Sequence, residues 1–116
     1  MSVTLYGIKN CDTVKKARKW LDANFVPYTF HDFRVDGINK TLVNNFLKQI
    51  DIETLINKRG TTWRKLSDGE KVIKNKTQAV ELMLENKAII KRPILDVNKK
   101  LFVGFSEDSY TAIKFS

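Results

Sequence analysis

One cysteine carries most of the chemistry that this sequence can offer. Cys11 is the only cysteine among the 116 residues, and it lies where a predicted strand, 3–8, passes through the turn Lys9-Asn10 into a predicted helix. A helix N-terminus presents unpaired N–H groups and a partial positive charge, and both stabilise an anion. The thiol is therefore expected to lose its proton more readily than a free cysteine and to act as a thiolate nucleophile.

The charged side chains near this cysteine mostly favour the thiolate. Lys9, Lys15 and Lys16 lie within about one helical turn of Cys11, whereas Asp12 opposes them. The alternative is a small, inert cysteine at a strand–helix junction, because a free cysteine is often simply buried. The local sequence leaves both interpretations open.

The composition indicates a folded domain in a reducing compartment. A chain of 116 residues with 42% hydrophobic and 10% aromatic residues can bury the core of one domain. We expect neither a leader sequence nor a membrane span, since no apolar run approaches the roughly 18 residues that a span requires. A single cysteine excludes an internal disulfide and a cysteine-rich metal site, so we expect a cytoplasmic protein.

The net charge suggests an anionic partner without naming one. The formal charge is +8, from 21 Lys and Arg against 13 Asp and Glu, which suits a nucleic acid, an acidic protein or a small anion such as glutathione. The basic residues are spread over 9–19, 58–76 and 87–92 with no run of five or more. This spread favours a generally basic surface over a nucleic-acid interface.

The first third of the chain predicts a strand–helix–strand unit. Apolar residues at positions 14, 17 and 21 recur at helical spacing, which predicts a helix over about 12–24. Residues 27–33 then alternate aromatic and polar side chains, and Pro27 suits the first position of a strand.

The rest of the chain predicts a helical block followed by a hairpin and a last helix. Residues 38–88 read as all-helical, with Asn39 and Asn75 as caps. Strands over 93–97 and 101–105 flank a three-residue turn. Ser106 then caps a final helix. We therefore predict one α/β domain with the order β-α-β, helical insertion, β-β-α.

This order, with a cysteine at the first helix and a proline opening the third strand, resembles a thioredoxin-like fold. Four segments in register are similar to the YffB-type branch of the arsenate reductase/Spx family: Tyr6-Gly7-Ile8-Lys9-Asn10-Cys11-Asp12-Thr13, Arg59-Gly60-Thr61-Thr62-Trp63-Arg64-Lys65-Leu66, Ile90-Lys91-Arg92-Pro93-Ile94 and Val103-Gly104-Phe105-Ser106-Glu107. The resemblance covers essentially the whole chain. It implies a single ArsC-like domain over 1–116, with a thioredoxin-like part in 1–37 and 89–116 and a helical insertion in 38–88.

The resemblance also implies roles for individual residues. In the glutaredoxin-linked arsenate reductases, an equivalent cysteine attacks the oxyanion, arginines hold its oxygens, and glutathione completes the reduction. Cys11 and Arg92 match the cysteine and one of these arginines. Pro93 resembles the cis-proline that lies against the active-site cysteine in thioredoxin folds.

Several positions depart from the arsenate reductase pattern. Asn57 stands in place of a second arginine, with Arg59 two residues later, and Gly104 replaces the third. Gly7 replaces a histidine. Because an oxyanion needs several fixed donors, we expect arsenate to be a poor substrate. Val14 occupies the second position of the Cys-x-x-Cys motif, so a resolving thiol must come from outside the chain.

The predicted function is therefore a glutathione-dependent thiol reductase, with Cys11 and Arg92 as catalytic residues and no bound cofactor. Glutathione is the expected co-substrate, with glutaredoxin as a further candidate partner. The residues predicted to bind substrate or glutathione are Lys9, Asn10, Lys15, Arg59, Arg64 and Pro93. The alternatives are a glutaredoxin-linked arsenate reductase and an Spx-like regulator that binds RNA polymerase without being an enzyme.

Two further residues invite functional interpretations. His31 is the only histidine; we expect an ordinary surface or hydrogen-bonded residue and no metal site, with a dyad with Cys11 as the alternative. Trp63 and Arg64 either form a wall of the site or belong to a loop that a buried indole anchors. The basic residues of the first helix, 15–19, are expected to form a solvated face.

Overall fold

The computed structural model of the chain describes residues 2–115. It forms two compact units: one combines the segment up to Gly37 with the segment from Arg92 onward, and the other is Ile38–Lys91. The second unit thus ends at 91, a little beyond the predicted boundary at 88. No helix within residues 2–115 is both long and apolar enough to cross a membrane.

A four-stranded mixed sheet forms the centre of the first unit. Its strands in spatial order are β2 (Thr29–Asp32), β1 (Val3–Gly7), β3 (Ile94–Val97) and β4 (Lys100–Val103). The β1–β2 pair is parallel, whereas β1–β3 and β3–β4 are antiparallel. The thioredoxin-like prediction is confirmed. The predicted strand over 27–33 is shorter, since only 29–32 join the sheet.

Helices α1 (Asp12–Ala23) and α6 (Glu107–Thr111) supply the helical part of this unit. The strand register places Leu5 opposite Leu95 and Val3 opposite Val97, so all four side chains face the same way. Together with apolar side chains of the two helices they form one buried cluster: Val3, Leu5, Val14, Ala17, Leu21, Leu95, Val97 and Tyr110. The helical periodicity predicted for α1 is confirmed, because positions 14, 17 and 21 are all buried.

The hairpin between β3 and β4 is tighter than predicted. Val97 pairs with Lys100, so the loop contains only Asn98 and Lys99, with φ of 52° and 75°. Two successive residues with positive φ match the right-handed twist of the strands that they join. The predicted cap at Ser106 is confirmed, since its side chain accepts the N–H of Ser109 at 3.0 Å.

The second unit consists of short helices. They are α2 (Lys40–Leu47), α3 (Ile52–Leu55), α4 (Thr61–Arg64), α5 (Lys76–Glu85) and a single 3₁₀ turn, Lys87–Ile89. Both predicted asparagine caps are confirmed. The side chain of Asn39 accepts the N–H of Leu42 at 2.9 Å, and that of Asn75 accepts the N–H of Gln78 at 2.9 Å.

The all-helical prediction for 38–88 needs correction. Ile56 forms an isolated antiparallel bridge with Ile90, which ties two extended segments together. Trp63 and Arg64, for which a loop was one interpretation, belong to helix α4. Ser67 and Glu70 bond reciprocally as a capping pair does, but only a turn follows. The bridge depends on a contact between distant segments, which local periodicity does not report.

Strand β1 and helix α1 approach each other closely at Gly7. A Cβ atom added to this glycine would lie 2.7 Å from Cγ2 of Val14, which real Cβ atoms essentially never do. The hydrogen atom of glycine is therefore what lets the first turn of α1 lie against the end of β1. This contact fixes the segment between them, which contains Cys11.

We predict that Gly7→Ala lowers the free energy of unfolding by about 1–3 kcal/mol, the usual cost of overpacking a core. Urea denaturation would measure it. Gly69→Ala is the matched control, because a Cβ there meets nothing within 4 Å. Val14→Ala is itself destabilising because Val14 is fully buried, but Val14→Ala and Gly7→Ala together should cost less than the sum of the two single changes. Equal effects of Gly7→Ala and Gly69→Ala would contradict this account of the contact.

Candidate active site around Cys11

Cys11 occupies the N-cap position of helix α1. Its backbone is extended, with φ −100° and ψ 124°, and its carbonyl accepts the N–H of Lys15 at 2.9 Å. Its own N–H donates to the carbonyl of Ile8 at 3.2 Å, which closes the turn Lys9-Asn10. The helix begins at Asp12, the start of the predicted range of about 12–24, and ends at Ala23. The side chain of Cys11 is half-buried, so the sulfur is not sealed in the core.

The electrostatic surroundings of the sulfur favour the thiolate. Partial burial by itself raises the pKa of the Cys11 thiol, but the N–H groups of Val14 and Thr13 and the guanidinium of Arg92 outweigh burial and bring the pKa below its ordinary value. The cysteine side chain makes no capping hydrogen bond of standard geometry. The two amides therefore act as nearby positive dipole ends, while Arg92 contributes both a hydrogen bond and an opposite charge.

Arg92 and Pro93 lie immediately before strand β3. The peptide bond between them is cis, as the resemblance implied. Pro93 is buried, and its carbonyl accepts the N–H of Gly104 at 2.8 Å. Since β3 is the neighbour of β1 in the sheet, this segment lies beside the strand that leads to Cys11. The structure thus brings Arg92 to the sulfur.

The remaining predicted binding residues divide between the two units. Lys9 and Asn10 are exposed in the turn before Cys11, and Lys15 is exposed on α1. Arg59 and Arg64 belong to the helical unit, where both are exposed. The N–H of Arg59 donates to Oδ1 of Asn57 at 3.2 Å, and Arg64 ends α4. Ligand binding by these residues stays a prediction.

His31 is held by local contacts on strand β2. Its Nε2 donates to the carbonyl of Gly37 at 2.8 Å, and its ring packs against those of Tyr6 and Phe33, with centroids 5.0 Å and 6.0 Å away. This is the hydrogen-bonded role that we expected. Across residues 2–115, no three His, Cys, Asp or Glu side chains cluster as ligands for a metal ion.

Two other side chains are ordered by aromatic contacts. Trp63 is only 8% exposed, and the Nζ of Lys58 lies 5.6 Å from its ring centroid; the indole thus anchors α4. The expectation of a solvated face is wrong for Arg18. Its guanidinium lies 4.2 Å from the ring centroid of Phe30 and donates to Oη of Tyr28 at 3.3 Å.

Sequence reasoning overlooked one residue near the cysteine. Asp32, the last residue of β2, is 6% exposed and is the only charged side chain buried among residues 2–115. Its Oδ2 accepts the N–H of Lys9 at 3.1 Å. The sequence did contain a signal for Asp32. It is an acidic residue at the end of β2, and β2 is parallel to β1, the strand that leads to Cys11. Parallel strands end at the same edge of a sheet, so the position of Asp32 near the cysteine could have been predicted.

Comparison with known proteins agrees with this geometry. The sequence profile of the ArsC family matches residues 6–113. The chain belongs to the ArsC family. The solved structure of the YFFB protein is 42% identical and covers 96% of this chain and 97% of its own, with a TM-score of 0.90. An arsenate reductase (ArsC) related protein from Brucella melitensis is 46% identical, covering 97% of this chain and 93% of its own, with a TM-score of 0.79.

The same family includes regulators. The global transcriptional regulator Spx 2 of Lactococcus lactis is 30% identical over 95% of this chain and 84% of its own length. The chain is thus a YffB-type member of a family of arsenate-reductase-related proteins and Spx regulators. Relatives named after arsenate reductase and relatives named as transcriptional regulators both match this chain, so the details of the site must decide between the two functions.

We predict that Arg92→Ala raises the pKa of the Cys11 thiol, because the substitution removes a hydrogen bond and an opposite charge from the thiolate. Alkylation of Cys11 at neutral pH should slow by roughly tenfold, as loss of a charge-assisted hydrogen bond implies. Ultraviolet absorbance of the thiolate against pH would measure the pKa. The melting temperature should change little, since Arg92 is only half-buried.

Arg34→Ala provides the control for a lost guanidinium. Arg34 is exposed in the same unit, and its substitution should leave the thiol titration unchanged. If Arg92→Ala instead unfolds the protein while the thiol pKa stays where it is, then Arg92 is a structural residue and the site is assigned wrongly.

Proposed function

We propose that this protein is a cytoplasmic, glutathione-dependent thiol reductase in which Cys11 forms a mixed disulfide that external glutathione resolves. The observation that carries the proposal is a lone thiol at a helix N-terminus, where the guanidinium of Arg92 and the first amides of the helix bring its pKa below the ordinary value. Val14, at the position of a resolving cysteine, is fully buried in the core. The chain can therefore capture a disulfide sulfur but cannot release it unaided.

The proposed reaction is two successive thiol–disulfide exchanges. In the first, the Cys11 thiolate attacks the glutathionyl sulfur of a substrate disulfide and displaces the substrate thiolate, which takes up a proton. In the second, the thiolate of free glutathione attacks the glutathionyl sulfur on Cys11, which regenerates the Cys11 thiolate and forms oxidised glutathione. The substrate sulfur gains the electrons that the entering glutathione gives up.

Arg92 supports both steps by stabilising the same charge. Its guanidinium favours the attacking Cys11 thiolate before the first step and the departing Cys11 thiolate in the second. Glutathione carries two carboxylates, and the residues proposed to hold it in the unit of Cys11 are Lys9, Asn10 and Lys15, with Pro93 shaping the platform. Binding by Arg59 and Arg64, in the helical unit, stays a prediction from the sequence. Glutaredoxin is a further candidate for removing the glutathionyl group.

We predict that oxidised glutathione adds one glutathionyl group per chain and that free glutathione removes it. The adduct should persist because the chain has no second cysteine. Intact-protein mass spectrometry would count the adduct, and Cys11→Ser is the control that should abolish it. Arg92→Ala should slow adduct formation by roughly tenfold for the reason given above.

A second candidate function is that of an Spx-like regulator that binds RNA polymerase and is not an enzyme, which the similarity to Spx 2 favours. The two candidates differ in what the thiol must do. A wild-type protein that resists oxidised glutathione under mildly alkaline conditions, while Cys11→Ser still binds RNA polymerase, would favour the regulator. Rapid adduct formation and removal would favour the reductase.

We predict that arsenate is a poor substrate. Gly104 stands where the arsenate reductases place a third arginine, and Asn57 where they place a second. Each missing charged hydrogen bond costs about 1.5–3 kcal/mol, or roughly one to two orders of magnitude in rate where it acts in the transition state. An arsenate reduction assay with glutathione and glutaredoxin would test this, and robust saturable turnover would contradict it.

A further inference from the structure

The carboxylate of Asp32 joins two turns at one edge of the sheet. Its Oδ2 accepts the N–H of Lys9 at 3.1 Å, and its Oδ1 accepts the N–H of Arg34 at 2.8 Å. Lys9 belongs to the turn after β1, and Arg34 to the turn after β2. The register places Asp32 beside Gly7, so the two strands deliver these turns to the same place.

The turn that Asp32 holds is the one that leads into Cys11. The N–H of Cys11 closes that turn by donating to the carbonyl of Ile8, and helix α1 begins immediately afterwards. A shift of the Lys9 backbone would therefore move Cys11 relative to the first amides of α1. No step of the proposed thiol–disulfide exchange uses Asp32 directly.

The burial of this carboxylate indicates that its hydrogen bonds matter. A buried charge is costly unless it is well bonded, and Asp32 is 6% exposed. A carboxylate accepts at both oxygens, whereas an asparagine amide has one accepting oxygen and a donating nitrogen. Asparagine of the same shape could therefore bond only one of the two N–H groups, and its NH₂ group would face the other.

We propose that Asp32 is a positioning residue for Cys11: by fixing the backbone of Lys9, its carboxylate sets where the sulfur lies relative to the N–H groups of Thr13 and Val14. This role deepens the proposed function. It rests on that function in one respect, which is that Cys11 is the reacting residue. Asp32 acts through the backbone and need not touch the substrate.

The direction of the effect distinguishes positioning from simple charge. Asp32 is negative, so its charge alone disfavours a nearby thiolate, and neutralising it would make Cys11 more reactive. Positioning predicts the opposite. Loss of the carboxylate releases the turn, takes the sulfur away from its amide donors and makes the thiol harder to deprotonate.

The test is alkylation of Cys11 by iodoacetamide across a range of pH, in wild type and Asp32→Asn, with melting temperatures measured in parallel. Asp32→Asn should slow alkylation at neutral pH by about tenfold. This is the fall in the thiolate fraction that follows when the pKa of Cys11 rises by about one unit and the pH is below that pKa. The substitution should also move the pH midpoint of the rate upward. Iodoacetamide is uncharged and reports on the thiol without any need for glutathione binding.

Asp36→Asn is the matched control. Asp36 lies in the same turn, and its Oδ2 accepts the N–H of Asp32 at 2.8 Å, but its carboxylate is exposed and is not the acceptor of the Lys9 N–H. This variant removes an equal charge, and the accepting oxygen of asparagine can keep the N–H of Asp32, so the bond between Asp32 and Lys9 is retained. Its alkylation rate should stay within about twofold of wild type, as expected for an exposed, screened charge.

A backbone substitution keeps the test decisive if Asp32→Asn does not fold. Cys11 permits chemical ligation of a synthetic segment 1–10 to a recombinant segment 11–116. An ester in place of the Ile8–Lys9 amide removes the N–H that Asp32 accepts and also weakens the Ile8 carbonyl that accepts the N–H of Cys11, so it loosens this turn through the backbone alone. The all-amide ligation product is its control. The ester protein should show the same slower alkylation, with every side chain retained.

Two results would overturn the proposal. In the first, alkylation in Asp32→Asn or the ester protein is unchanged while the melting temperature falls, so that Asp32 supports only the fold. In the second, alkylation becomes faster, so that its charge dominates. Failure of wild type to accept glutathione would instead contradict the proposed function and leave these alkylation rates interpretable.

Discussion

The start of helix α1 is the constraint on which the chemistry of this protein depends. A thiol becomes a useful nucleophile at neutral pH only if its anion is stabilised, and here that stabilisation comes largely from groups whose position the helix start determines. The amides of Thr13 and Val14 favour the thiolate because Cys11 is the N-cap. The buried contacts of α1 with β1 and β3 hold this helix in place. The lowered pKa of the Cys11 thiol therefore depends on the core packing that holds α1 in place.

Arg92 is placed near the same sulfur by the pairing of strands in the sheet. It follows the helical unit in the chain and precedes β3, which pairs with β1 in an antiparallel register. Sheet pairing thus joins segments that are far apart in sequence, one carrying the nucleophile and the other its cation. Because both lie at the ends of strands, their separation depends on rigid elements more than on flexible loops.

Short-range patterns predicted the parts of the fold that short-range physics controls. The buried face of α1 and the caps at Asn39, Asn75 and Ser106 depend on residues within a turn or two of each other. The Ile56–Ile90 bridge and the packing of Arg18 on Phe30 depend on distant segments, and periodicity does not contain them.

The candidate site shows the same division between local and distant interactions. The place of Cys11 was visible in the local pattern, and its pairing with Arg92 only in the family resemblance. Asp32 was overlooked because an acidic residue at the end of a strand looks, in sequence, like any turn residue. Its importance comes from burial and from the backbone groups that it meets.

The contact between Gly7 and Val14 has a consequence for how such a protein can evolve. Two of its departures from the wider family, a missing histidine at position 7 and a missing second cysteine at position 14, are the two sides of one steric contact. Any larger residue at 7 requires a slimmer one at 14, whereas a slimmer residue at 14, such as cysteine, is compatible with glycine at 7. Lineages that exchanged the second thiol for valine are therefore expected to carry glycine at the end of the first strand.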